Sequence, residues 1–260
     1  MDEKLPVHTR KALRLLRIIA QRVLPASASR VLMSIYGIFT TRSISYSRYG
    51  EDLLIKSFFE CLKIKQGIYC DIGCFHPIWG SNTYLLHKLG WNGVCVDMDV
   101  FKLNAMKNWR GTKIICVLGA VTGNDGRGAS ATTYRFENRL WSDIDTIDKT
   151  TADLYKDSGA GPYTEGVSPT IQINKLLANH PEIDCLSIDI EGIDEEVVFA
   201  IDFSLYRPKL IVFEDNTTWG GSNKIKDRLE ASEYNRLFIS GGSIGYSDAR
   251  IKMPQNSNAP

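Results

Sequence analysis

The chain has 260 residues, of which 43% are hydrophobic and 23% charged, with a formal net charge of +1. That length and apolar share suffice for one sizeable core, so about one domain is expected. The near-neutral balance excludes the basic field of a nucleic-acid binder, no run of about 18 apolar residues is there to span a bilayer, and the opening MDEKLPVHTR lacks the order of a secretion signal, so no leader is expected.

Residues 1–42 differ from the rest. Arg10, Arg14, Arg17 and Gln21 share one helical face, and Ala12, Leu16, Ile19, Ala20 and Val23 the other. Pro25 ends that helix, and a second short one is expected after Ser27. Two readings stand: a helical arm packed on its own domain, or a basic face at residues 8–24 resting peripherally on an anionic membrane or a partner.

From Tyr46 onward, strand and helix patterns alternate. Helices are predicted over 52–62, 82–88, 101–108, 170–179 and 194–200, and strands over 67–73, 93–99, 112–121, 184–191 and 209–215. Near-continuous apolar strands separated by helices predict an α/β fold: a mostly parallel sheet with helices on both faces. Residues 234–240 and 244–253, joined at Gly241-Gly242, predict a closing antiparallel hairpin. Between the strand at 112–121 and the helix at 170–179, residues 123–169 are rich in turn formers and read as a long irregular connection, functional or disordered. The resulting organisation is an arm at 1–42, a domain at 43–253 and a flexible polar tail at 254–260.

Of the six cysteines, Cys70, Cys95, Cys116 and Cys185 fall inside predicted strands, where a free thiol behaves as a small apolar side chain. Cys70, Cys74 and His76 resemble a metal set, but no second cysteine pair completes it. Free thiols are therefore expected, with a cytoplasmic setting and the membrane contact above as its one qualification.

The chemistry gathers at predicted strand ends. Asp71, Asp97, Asp189, Glu191 and Glu214 all stand there, and carboxylates in such places are costly without a partner or a use. In an open parallel sheet that is also where ligands bind. Gly73 follows Asp71 and admits close approach of backbone. Ser81 or Asn82 is expected to cap the next helix, leaving N–H groups for a carboxylate. Asp97 lies where nucleotide folds place the acid that binds ribose hydroxyls. A nicotinamide cofactor would want G-x-G-x-x-G, whereas Phe75, His76, Pro77 and Trp79 would crowd a pyrophosphate. A nucleoside without phosphates suits the loop better, and S-adenosylmethionine is one.

The segments YSRYGEDLLIKSFF, YCDIGCFHPIWGSNTY, GWNGVCVDMD, DCLSIDIEGIDEEV and RPKLIVFED occur in an order that resembles the FkbM-type methyltransferases, over about 46–215. The resemblance implies a Rossmann-like class I methyltransferase fold of seven strands with the last reversed, S-adenosylmethionine as cofactor, and methylation of hydroxyls of sugars or polyketides. It implies cofactor roles for Asp71 and Gly73, for Asp97 on the ribose, for Gly119, Ala120 and Val121 beside the adenine, and for Asp189, Glu191 and Gly192 beside the methyl donor. Glu51, Asn82 and Thr83 complete the expected cofactor set. Arg48 and Asp99 depart from the family's usual Gln and Asn.

Methylating a hydroxyl requires in-line positioning and a base within hydrogen-bond reach, about 2.6–3.2 Å. Asp189 is the expected base, with Glu191 orienting it and His76 as the other candidate. Helix capping is the competing role for Asp189 and Glu191. Glu214 and Trp141 are expected on the acceptor, a small molecule or glycan. A divalent metal is compatible with the paired acids but is not expected. Two rival readings are a non-catalytic member of a glycan-assembly complex and a nucleotide-dependent oxidoreductase.

Overall fold

The computed structural model describes residues 43–123, 128–136, 141–214 and 224–252. The expected arm at 1–42, its basic face at 8–24 and the tail at 254–260 lie outside the described residues.

In chain order the first half contains α1 (Glu51–Cys61), β1 (Ile68–Ile72), α2 (Tyr84–Lys88), β2 (Asn92–Asp97), α3 (Val100–Arg110), β3 (Ile114–Leu118), β4 (Ala120–Thr122) and β5 (Ser130–Arg135). The second half contains α4 (Lys149–Tyr155), β6 (Thr164–Gln172), α5 (Ile173–Asn179), β7 (Cys185–Ile188), α6 (Asp194–Ala200), β8 (Leu210–Glu214), α7 (Lys224–Ala231), β9 (Tyr234–Ser240) and β10 (Ser243–Asp248). A seven-stranded sheet runs β3-β2-β1-β7-β8-β10-β9. Only β10 is reversed, antiparallel to both β8 and β9, so the expected mostly parallel Rossmann-like sheet with its closing hairpin is present.

The alternation of side chains along each strand builds two cores. Cys70 and Ile72, Val94 and Val96, Leu186 and Ile188, and Ile211 and Phe213 face Ile173 and Leu177 of α5, Val197 of α6 and Leu229 of α7. Tyr69, Cys95, Cys185, Leu210 and Val212 face the other way, toward Ile55, Phe58 and Phe59 of α1 and Leu103 and Met106 of α3. Both faces are covered, which is why these strands carry no polar stripe. The six cysteines are free thiols. Cys70 and Cys74 pack in different cores, so the Cys70/Cys74/His76 set is not assembled.

The region 123–169 departs from expectation. Much of it is folded, as a hairpin of β5 and β6 with α4 between them. Its small core holds Tyr134, Phe136 and Ala152, with Ile144, Tyr155 and Tyr163 against it. The order β4-β6-β5 makes β6 central, although it carries Pro169. Pro169 is tolerated because it stands where β6 leaves β5 and turns to β4: pairing with β5 ends at Ser130↔Pro169, and pairing with β4 begins at Ala120↔Thr170. The predicted strand 112–121 likewise breaks at Gly119 into β3 and β4. Among the described residues no helix is long and apolar enough to cross a membrane.

Candidate active site

The sheet's winding reverses between β1 and β7, and an open cleft lies at the carboxyl ends of the strands there. Its walls are acidic: Glu51, Asp71, Asp97, Asp143, Asp145, Asp189, Glu191 and Glu214 stand against Arg48 and Lys102. Such a field favours a cationic ligand and opposes phosphates.

The approach to α1 forms the first wall. Asp52 is fully buried and accepts hydrogen bonds from Ser45 Oγ, the Tyr46 N–H and Ser47 Oγ. This fixes the chain so that Glu51 faces the cleft while its Oε2 accepts from the Tyr49 N–H at 2.8 Å. Both acids sit in the first turn of α1, where the helix dipole favours them.

At the end of β1, Asp71 lines the cleft and Gly73 takes φ +78°. A Cβ on Gly73 would stand 1.7 Å from the carbonyl oxygen of Asp189, so what approaches this glycine so closely is the β7 loop. Burial pushes the Asp71 carboxyl up, while Arg110 and a hydrogen bond from Thr83 pull it down. Ser81 takes the N–H groups of Thr83 and Tyr84, at 3.3 and 3.1 Å, which corrects the expectation that these donors are open to a ligand.

Along β2, Asp97 lines the cleft with Oδ1 accepting from the Asp99 N–H at 2.8 Å. Burial pushes its pKa up to about 6, with Lys102 working against that rise. Lys102 Nζ lies 3.1 Å from Asp145 Oδ2, and both side chains are buried. Burial opposes the lysine's charge, but Asp97 and Asp145 hold its pKa up. Asp99 caps α3 by accepting from the Phe101 N–H. Ala120, Val121, Ile147 and Ile193 give this end of the cleft an apolar surface.

The third wall is a carboxylate cluster. Asp189, Glu191 and Glu214 bring oxygens within 4.8 Å of one another, close enough to raise one another's proton affinity or to hold a divalent cation. Asp189 is itself exposed to the cleft; desolvation by the surrounding walls and then the Glu214 charge push its pKa above the ordinary carboxylate range, while burial, Asp189 and Glu214 do the same to the half-buried Glu191. Glu191 has a left-handed φ of 50°. It is held by the hairpin region: Thr146 Oγ1 donates to its carbonyl at 2.6 Å, and the Tyr155 hydroxyl donates to its Oε2. Helix capping is not the role of these acids. The N-cap of α6 is Ile193, with no side-chain cap, and Asp194 accepts from the Ile190 N–H instead.

The cleft brings together Glu51, Asp71, Gly73, Asn82, Asp97, Ala120, Val121, Asp189, Glu191 and Glu214 of the expected set, with His76 also in its wall. Three expectations need correction. Thr83 is fully buried behind Asp71 rather than in the cleft. His76 Nδ1 accepts from the N–H groups of Ile78 and Trp79, at 3.1 and 3.2 Å, so its lone pair is already used and it does not serve as a base. Trp141 packs outside the cleft lining, on His76 and Phe101 with ring centroids 4.4 and 5.2 Å away. Sequence reasoning missed Lys102 and Asp145, since a buried ion pair between a helix and a distant loop has no local pattern; Tyr155 reads from the sequence as an aromatic that could stack on a sugar, whereas its hydroxyl donates to Glu191.

The sequence pattern described as "Methyltransferase FkbM domain" matches residues 71–237, more than half of the chain. No curated protein matches. Similar solved structures include a TehB-like SAM-dependent methyltransferase from Corynebacterium glutamicum, 13% identical with a TM-score of 0.40, covering 85% of this chain and 97% of that one. An O-methyltransferase from Bacillus cereus in complex with SAH is 11% identical with a TM-score of 0.40, covering 90% and 97%. Precorrin-6y C5,15-methyltransferase from Geobacter metallireducens is 12% identical with a TM-score of 0.36, covering 74% and 83%. The family match spans the strands that carry Asp71, Asp97, Asp189 and Glu214, and on it the chain belongs to the FkbM methyltransferase family and is a methyltransferase that uses S-adenosylmethionine.

Proposed function

We propose that the enzyme transfers the methyl group of S-adenosylmethionine to a hydroxyl of a sugar, glycan or glycolipid precursor. The observation that carries this reading is the carboxylate cluster beside Gly73. An alcohol must lose its proton as it attacks the methyl carbon, and a carboxylate open to the cleft whose acidic neighbours raise its proton affinity is suited to take it. Asp189 is that base; Glu191 and Glu214 flank it and meet the acceptor. The sulfonium is cationic and the product thioether is neutral, so the acidic walls favour the donor and weaken their hold on the product. The same walls weigh against a dinucleotide, and so against the oxidoreductase reading.

The cofactor lies with its ribose on Asp97, its adenine against Ala120 and Val121, and its methionine end over Asp71, Gly73, Asn82 and Glu51. Ribose hydroxyls donate to an ionised carboxylate. Affinity for S-adenosylhomocysteine is therefore expected to be flat above neutrality and to fall as pH drops through the Asp97 pKa of about 6. Asp97→Asn should abolish that dependence. Calorimetry across pH checks both, and a wild-type affinity that is level through this range contradicts the assignment.

The reaction itself is tested with methyl-labelled S-adenosylmethionine against neutral oligosaccharides, glycolipids, amines and thiols. The expected product is a methyl ether on a sugar hydroxyl. Label on nitrogen or sulfur overturns the acceptor class, and cofactor binding with no transfer to any acceptor favours the non-catalytic reading.

A further inference from the structure

We infer that Arg110 and Thr83 are positioning residues for the cofactor, acting through a buried relay that sets the Asp71 carboxylate. Arg110 closes α3, and its side chain is fully buried behind the β1 loop. Its guanidinium donates to the Pro77 carbonyl at 2.9 Å, Tyr69 Oη at 3.1 Å, Thr83 Oγ1 at 2.9 Å and Ser81 Oγ at 2.8 Å. The Thr83 hydroxyl donates a hydrogen bond to Asp71 Oδ2, and Arg110 lies 3.8 Å from that same oxygen. A hydroxyl has one proton and two lone pairs, so the direction of the chain is fixed: Arg110 has only donors, Thr83 must accept from it, and Thr83's proton is left for the carboxylate.

The consequence lies in the cleft. With Oδ2 tied from behind, the Asp71 carboxylate cannot turn, and its other oxygen keeps one orientation toward the ligand. The same guanidinium joins the four places that shape this wall: β1 at Tyr69, the loop at Pro77, the turn into α2 at Ser81, and Asp71 itself. The cofactor then meets a carboxylate already oriented, with no rotamer to freeze on binding. This inference rests on the reading of Asp71 as a cofactor-binding acid.

Removing Arg110 would strand a buried carboxylate and risk unfolding the protein. Thr83→Val is the informative variant, because it keeps the shape and deletes the hydroxyl. S-adenosylhomocysteine is the probe, titrated calorimetrically into wild type, Thr83→Val, Thr83→Ser, Asp71→Asn and the double variant Asp71→Asn/Thr83→Val. Loss of one hydrogen bond predicts about three- to tenfold weaker binding for Thr83→Val, with Thr83→Ser close to wild type. In the Asp71→Asn background the same valine is expected to cost clearly less, since the neutral amide oxygen accepts only a weaker, uncharged hydrogen bond from Thr83. Wild-type affinity in Thr83→Val, or an equal loss in both backgrounds, overturns the relay and leaves Thr83 a packing residue. Unchanged affinity in Asp71→Asn would instead overturn the reading of Asp71.

Discussion

Asp189→Asn is expected to lower kcat by about 10²–10⁴-fold while leaving S-adenosylhomocysteine affinity nearly intact. Asparagine keeps the size and one acceptor oxygen but cannot take a proton. Because the product thioether is neutral, its binding does not depend on the charge that is lost. S-adenosylmethionine carries its positive sulfonium to the same wall, so its affinity should fall more than that of the product. In the wild type Asp189 and Glu191, with Glu214 beside them, retain protons to higher pH than an isolated carboxylate, both being pushed well up. A base must be ionised to act. The rate is therefore expected to rise with pH as the cluster loses its proton, from a midpoint above the ordinary carboxylate range. Rates of label transfer across pH for the two proteins check this. A variant with wild-type kcat would remove Asp189 from the chemistry.

Gly73→Ala is expected to destabilise the fold by about 2–5 kcal/mol, combining a left-handed backbone that disfavours a side chain with an overpacked contact. The contact is severe, since the new Cβ would fall 1.7 Å from the backbone oxygen of Asp189, which has no rotamer by which to retreat. The two loops must separate, and they carry Asp71 and Asp189. The variant should thus lose both stability in urea unfolding and affinity for S-adenosylhomocysteine. Stability and binding equal to wild type would show that the loops stand further apart than described.

The parallel sheet was legible in the sequence because its strands are apolar on both faces, and β1, β2, β7 and β8 fall within a few residues of their predicted places. The acids at their ends were legible for the same reason: a charge that closes an apolar run stands out. Pairing across the chain is what the sequence did not reveal. Pro169 and the glycines around it suggest turns, yet β6 accommodates them because it changes partners at that point. Thr83, one residue beyond Asn82 in the same motif, reads as a second cofactor contact; only the position of Arg110, 27 residues away, shows that its hydroxyl faces inward. His76 looks like a base until Nδ1 is seen to accept from its own loop. The charged α7 was missed because Ile225 and Leu229 are the only buried apolar anchors of its eight residues.

The most direct test of the central claim, a nucleoside held between the ends of β1 and β2, is calorimetric titration of S-adenosylhomocysteine into wild type and Asp97→Ala. Saturable binding to the wild type, weakened in the variant by about 1.5–3 kcal/mol for one charge-assisted hydrogen bond, is the predicted result. No binding to folded wild-type protein, or equal binding by both, would contradict it.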